Sequence, residues 1–132
     1  MQAERLLLAR LKGKVTRQRE NKRRIGADYE KKAADYLRTV GYRIIEQNYR
    51  CPQGEIDLIA RDGNYLVFIE VKYRKNLSAG YGEEAVGYRK QMRIRKTAIW
   101  YLNVRGIGLE QPCRFDVISF AAEKLTLLQN AF

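Results

Sequence analysis

Asp57 and Glu70 interrupt two otherwise apolar stretches, GEIDLIA and YLVFIEVKY, and Lys72 follows Glu70 by two residues. In extended strands side chains alternate between faces, so Asp57 shares a face with Glu55 and Ile59, while Leu66, Phe68, Glu70 and Lys72 share one on the next strand. A two-residue loop at Asp62-Gly63 sets Asp57 opposite Phe68, with Glu70 as its diagonal neighbour; a four-residue loop sets Asp57 directly opposite Glu70. Both registers bring the two acids together. Like charges on a partly buried face repel, so either one carboxyl keeps a proton or a cation lies between them, and hard ions such as Mg²⁺ or Mn²⁺ favour oxygen ligands. The Lys72 amine would then steer an attacking water or stabilise charge developing on a phosphoryl oxygen. The plainer alternative is that both acids are solvated or paired with Lys72 and nearby arginines.

A third acid, Glu30, belongs to DYEKKAADYLRTV, where Glu30, Ala33, Ala34 and Leu37 form one stripe at helical period and Lys31, Lys32, Asp35 and Arg38 lie opposite. A carboxylate on an inward face is costly unless paired. It is either a wet first-turn Glu favoured by the helix dipole, or an outer ligand or base of the same acidic site.

Absences narrow the chemistry further. With no histidine, the chain has no Ser-His-Asp or Cys-His machinery and no His-ligated metal. Cys51 and Cys113 stand far apart with no CxxC, so neither a zinc cluster nor a thiol redox centre is expected. Leu6-Leu7-Leu8 is too short for a membrane span or signal segment, which points to a cytoplasmic protein that does not enter membranes.

The 132 residues carry 26 Lys and Arg against 15 Asp and Glu, a net charge of +11, which makes nucleic acid the first partner to consider. Residues 1–25 alone hold nine basic and two acidic residues. This stretch reads as a basic arm, mobile by itself and ready to become helical on a partner, ahead of one α/β domain over residues 26–132. Within that domain the order is a helix from Asp28 to Val40, strands over Tyr42–Tyr49, Glu55–Arg61 and Tyr65–Tyr73 as an antiparallel meander, a Gly-rich loop with Gly80 and Gly82, a helix over Glu84–Asn103, and strands over Cys113–Phe120 and Leu125–Leu128. This is a mixed β-sheet flanked by helices.

GEIDLIA, then FIEVKYR, after the helix GADYEKKAADYL, resembles the PD-(D/E)XK nuclease superfamily with its restriction-endonuclease-like core. From about Ile25 onward, through FDVISF to the terminal NAF, the chain is similar to the YraN family, which resembles archaeal Holliday junction resolvases in layout. The resemblance implies Asp57 and Glu70 as metal-binding acids, the backbone carbonyl of Val71 as a further ligand, Lys72 as the motif lysine and Glu30 as the helix glutamate. It also implies cleavage leaving 5′-phosphate and 3′-hydroxyl ends. Ile56 stands where the superfamily pattern has proline, which weakens the label more than the chemistry.

The second helix carries Arg89, Lys90, Arg93, Arg95 and Lys96, with Tyr88 and Trp100 near its ends, a track for phosphates with rings for stacking. Arg74 and Lys75 are candidates for the same backbone. Asp116, in FDVISF, reads as a solvated edge acid or a lysine partner and stays outside the proposed site. The expected activity is Mg²⁺- or Mn²⁺-dependent DNA endonuclease cleavage, on branched or otherwise structured DNA. Junction-cutting enzymes of this layout tend to be homodimers. The rival is a nucleic-acid-binding module that keeps the fold and cuts nothing.

Overall fold

The computed structural model describes residues 2–74, 86–122 and 124–132, and side chains from residue 17 onward. The elements are α1 (Gln2–Thr39), β1 (Arg43–Cys51), β2 (Gly54–Asp62), β3 (Tyr65–Arg74), α2 (Tyr88–Val104), β4 (Cys113–Ala121) and β5 (Lys124–Leu128). They form one five-stranded sheet in the order β1-β2-β3-β4-β5, with β3 and β4 parallel and every other pair antiparallel. This mixed α/β sheet with two helices fits a restriction-endonuclease-like core. The strands fall where the β-branched and aromatic runs place them, to within two residues at each end.

Two helix boundaries differ from the sequence reading. The first helix does not begin at Asp28: α1 runs without a break from Gln2, so the basic stretch and the amphipathic stretch are one helix. Gly13 and Gly26 do not stop it, since a glycine inside a helix costs only about 1 kcal/mol. The second helix begins at Tyr88 rather than Glu84, with Gly87 as its extended N-cap residue. The Gly80 and Gly82 loop and Lys75 lie outside the described residues.

Each helix covers one face of the sheet. Ala33, Ala34 and Leu37 of α1 pack on Leu58, Ala60, Val67, Ile69, Ile118 and Phe120. Ile94, Ala98, Tyr101 and Leu102 of α2 pack on Ile56, Ile59, Leu66, Phe68 and Val117. Alternation along β3 explains the division: Leu66 and Phe68 face α2, and Val67 and Ile69 face α1. The start of β2 lies against α2 so closely that a Cβ at Gly54 would come within 2.9 Å of the Thr97 hydroxyl, and Gly54 also has φ of 147°. Only glycine meets both demands without strain.

In the first half of β4, Asp116 is fully buried. It accepts hydrogen bonds from the Tyr42 hydroxyl (2.7 Å), from Arg114 Nε and Nη2 (both 2.9 Å) and from the Asn130 amide (2.9 Å). Arg114 also donates to Asp62 at 2.8 Å. The partner of Asp116 is thus an arginine in the core, not a lysine or edge solvent, and the cluster ties β1, β2, β4 and the C-terminal tail together. Burial pushes the Tyr42 phenol up to about 12. The bonds to Asp116 hold the Arg114 guanidinium above its already high value.

Candidate metal and phosphate site

β2 and β3 are paired from Asp62↔Tyr65 to Leu58↔Ile69, where the ladder ends. Carrying the register one residue further sets Asp57 level with Glu70. This is the direct juxtaposition of the two alternatives, but a two-residue turn at Gly63-Asn64 produces it, one position later in the chain than Asp62-Gly63. Beyond that point the strands fork: β2 stays with β1 and β3 stays with β4.

The fork is built into both sides of Asp57. On the β1 side the register Gln47↔Leu58 and Tyr49↔Ile56 brackets Asn48 opposite Asp57, and Asn48 has φ of 54°. Asn tolerates this left-handed conformation better than most residues. The distortion breaks strict alternation, so Ile56 and Ile59, three apart, both join the α2-side core. On the β3 side the Val71 N–H, left without a β2 carbonyl, donates to Asp57 Oδ2 at 2.8 Å. A strand residue turns its N–H and C=O to the same side, so the Val71 carbonyl faces the same gap.

The two acids share more than position. Burial, followed by the negative charge of Glu70, pushes the Asp57 carboxyl up to about 7 despite the Val71 bond. A proton retained on Asp57 is one of the two resolutions expected for adjacent acids on a partly buried face.

Glu70 is 6% exposed, and two ammonium groups compensate it: Lys90 Nζ lies 2.5 Å and Lys72 Nζ 3.7 Å from the same oxygen, Oε1. Lys72 stands where the strand pattern puts it. Burial, then hydrogen bonding and like charge from Lys90, lowers its amine below the usual lysine range. Burial works against charge on Lys90 too, but its bonds to Glu70 and Lys72 outweigh this and hold its ammonium above that range. Lys90 reads from the sequence as a phosphate contact; what it touches is Glu70, a pairing of two elements 20 residues apart that no local spacing reveals.

Glu30 reaches this cluster from an unexpected side. It is α2 that covers the face carrying Glu70, while α1 packs on the opposite one. Glu30 and Asp57 nevertheless feel each other across the fork, and the Asn48 side chain lies near Glu30. Burial raises the Glu30 carboxyl above the usual range, opposed by Asn48. Asn48 is thus a supporting residue that sequence reasoning missed, because an Asn inside a strand run gives no sign of its conformation.

Among the described residues, no three Asp, Glu, Cys or His side chains converge as a metal cluster. The donor set is smaller: the Asp57 and Glu70 carboxylates and the Val71 carbonyl. It fits Mg²⁺ or Mn²⁺, since Mg²⁺ is commonly held by one or two carboxylates together with substrate phosphate and water. Glu30 stands outside that set.

Beside the acids, Arg50, Cys51, Gly54, Glu55, Lys90, Arg93 and Ile94 line a cleft of about 440 Å³. Arg50 is paired with Glu55 at 3.2 Å, both well exposed. A neighbouring concavity is lined by Tyr88, Arg89, Met92, Arg93 and Lys96, and Tyr88 is exposed. Arg89, Arg93 and Lys96 thus share one surface. Arg95 does not join them: its guanidinium lies over the Phe115 and Phe132 rings. Arg74 ends β3, half-buried, two residues past Lys72.

A sequence model of the family described as "Uncharacterised protein family UPF0102" matches residues 29–120, which include Glu30, Asp57, Glu70, Lys72 and Lys90. The chain belongs to the UPF0102 family. A UPF0102 protein of Lachnoclostridium phytofermentans is 49% identical over 112 residues, covering 85% of this chain and 95% of that protein. UPF0102 relatives of Thermodesulfovibrio yellowstonii (46% identity; 82% of this chain, 95% of theirs) and Syntrophus aciditrophicus (45%; 83% and 88%) are similar over comparable spans. This is the YraN family to which the chain is similar from about Ile25 onward. Among the described residues, no helix is long and apolar enough to cross a membrane.

Proposed function

We propose that this UPF0102 protein is a metal-dependent DNA endonuclease of PD-(D/E)XK type, acting on branched or otherwise structured DNA. The observation that carries the reading is the meeting of half-buried Asp57 and buried Glu70 at the fork of β2 and β3, with two lysines on Glu70. A fold gains no stability from such a pair by itself, whereas a cation site needs it.

Asp57, Glu70 and the Val71 carbonyl would hold Mg²⁺ or Mn²⁺, which supplies Lewis-acid polarisation of the scissile phosphoryl group and activation of a water. The chain's own groups do the rest. Lys72 orients the attacking water; burial and Lys90 favour loss of its own proton to solvent, and the neutral amine so formed accepts the proton that the water gives up. Glu30, outside the ligand set, is a second proton acceptor at the mouth of the fork. Arg50 and Arg93 of the cleft, with Arg89 and Lys96 beyond, grip phosphates without reading bases, and exposed Tyr88 offers a ring for stacking. A homodimer would present two such sites to paired strands of a junction.

The test is cleavage of duplex, flap, fork and four-way-junction DNA in Mg²⁺ or Mn²⁺ by the wild type, Asp57→Ala and Lys72→Ala. The reading expects wild-type cleavage, and loss of at least about 100-fold in either variant with DNA binding retained. Tight binding with no cleavage of any substrate would instead favour a binding module that keeps the fold.

A further inference from the structure

Glu70 is neutralised mainly from α2 rather than from its own strand, and this has a bearing on how a cation could enter. Glu70 Oε1 is 2.5 Å from Lys90 Nζ and 3.7 Å from Lys72 Nζ. Lys72, on the same strand two residues away, is the more distant of the two and its side chain the less exposed, at 25%. Lys90 reaches across from α2 on a four-carbon stem, its side chain is 37% exposed, and it forms part of the wall of the cleft with Arg50 and Arg93.

We propose that the Lys90 ammonium is a built-in occupant of the cation position, which a divalent ion displaces from Glu70 into the cleft, where it receives a substrate phosphate. The inference rests on the metal-site reading above and deepens it. The geometry makes the two cations mutually exclusive. Mg²⁺ sits about 2.1 Å from a carboxylate oxygen. An ammonium 2.5 Å from that oxygen would then be less than about 5 Å from the ion, with like charges in a buried setting. Without the ion, the same ammonium removes the cost of leaving Glu70 buried and unpaired. Once displaced, the flexible stem brings a third positive charge into a cleft that already holds two arginines. Ion and DNA then favour each other: a phosphate that captures Lys90 frees Glu70, and an ion on Glu70 frees Lys90.

Calorimetric titration of Mn²⁺ into chelator-stripped full-length wild type, Lys90→Met and Lys90→Arg tests this. The expected result is about tenfold or greater tightening of the Mn²⁺ Kd in Lys90→Met, and none in Lys90→Arg, which keeps the competing charge. Wild-type binding with unchanged or weaker affinity in Lys90→Met would overturn the displacement while leaving the metal site intact. No Mn²⁺ binding by wild type or by Lys90→Met would overturn the metal site and this inference together. Should Lys90→Met fail to fold, a Mn²⁺-loaded crystal structure of the wild type decides. Lys90 Nζ is expected beyond about 4 Å from Glu70; an ammonium still seated on Glu70 beside a bound ion would refute the proposal.

Discussion

The Val71 amide donates to the Asp57 carboxylate at 2.8 Å, so a side chain takes the bond that a neighbouring strand's carbonyl would otherwise accept. That one contact opens the sheet and closes the site. It satisfies a backbone donor that the forking of β2 and β3 leaves orphaned, and it holds Asp57 against Glu70. The same residue that would hold a cation is therefore the one that makes room for it.

Asp57 destabilises the fold at neutral pH. Its folded carboxyl titrates at about 7 against a usual value of 3.8, so its contribution to stability is fully present below about pH 4 and is lost as pH rises through 7. An asparagine side chain at this position has no proton to lose. In metal-free buffer Asp57→Asn should therefore gain stability relative to wild type by up to about 1.4 kcal/mol per pH unit across that window. Urea unfolding at pH 4.5 and pH 8 checks this, and a gap that does not widen with pH would refute it.

Asp116 should behave in the opposite way. It is more deeply buried and fully bonded, to Tyr42, Arg114 and Asn130. Asp116→Ala strands the Arg114 guanidinium and is expected to cost on the order of 3–5 kcal/mol. Thermal and urea melts of the two variants side by side distinguish an acid kept for the fold from one kept for chemistry.

This contrast shows how much can be read from residues alone. Strand positions, the apolar stripe of α1 and the pairing of Asp57 with Glu70 follow from periodicity of two and of 3.6, because those depend only on local geometry. The loop at Gly63-Asn64, the covering of Glu70 by α2 and the seat of Lys90 do not, because each depends on how separate elements pack. The burial of Asp116 is hidden for the same reason: no spacing links it to Tyr42. The change in charge near Ile25 likewise suggests a boundary to the first helix, where the backbone continues without a break.

Ion binding should itself depend on pH. An ion held by Asp57 would displace the proton that its raised carboxyl retains, so below about pH 7 the affinity is expected to fall by about tenfold per unit. Mn²⁺ titrations at pH 6, 7 and 8 in two buffers of different ionisation heat should report close to one proton released per ion at pH 6 and less at pH 8. Affinity flat across this range would contradict a protonated Asp57.

DNA binding should be governed by the cleft. Arg50→Ala and Arg93→Ala are each expected to weaken binding alike on unrelated sequences and to lower the slope of log affinity against log salt by about 0.9. Arg95→Ala should leave that slope unchanged, because Arg95 lies over Phe115 and Phe132. Fluorescence anisotropy across a salt series separates these outcomes. An unchanged slope in both cleft variants would move the interface elsewhere.

The most direct measurement of the central idea is a Mn²⁺ titration, followed by calorimetry at pH 8, of the wild type against Asp57→Asn and Glu70→Gln. The account predicts one ion per chain in the wild type and at least about tenfold weaker binding in each variant, both of which remain folded. A wild type that binds no Mn²⁺, or variants that bind it equally well, would contradict it.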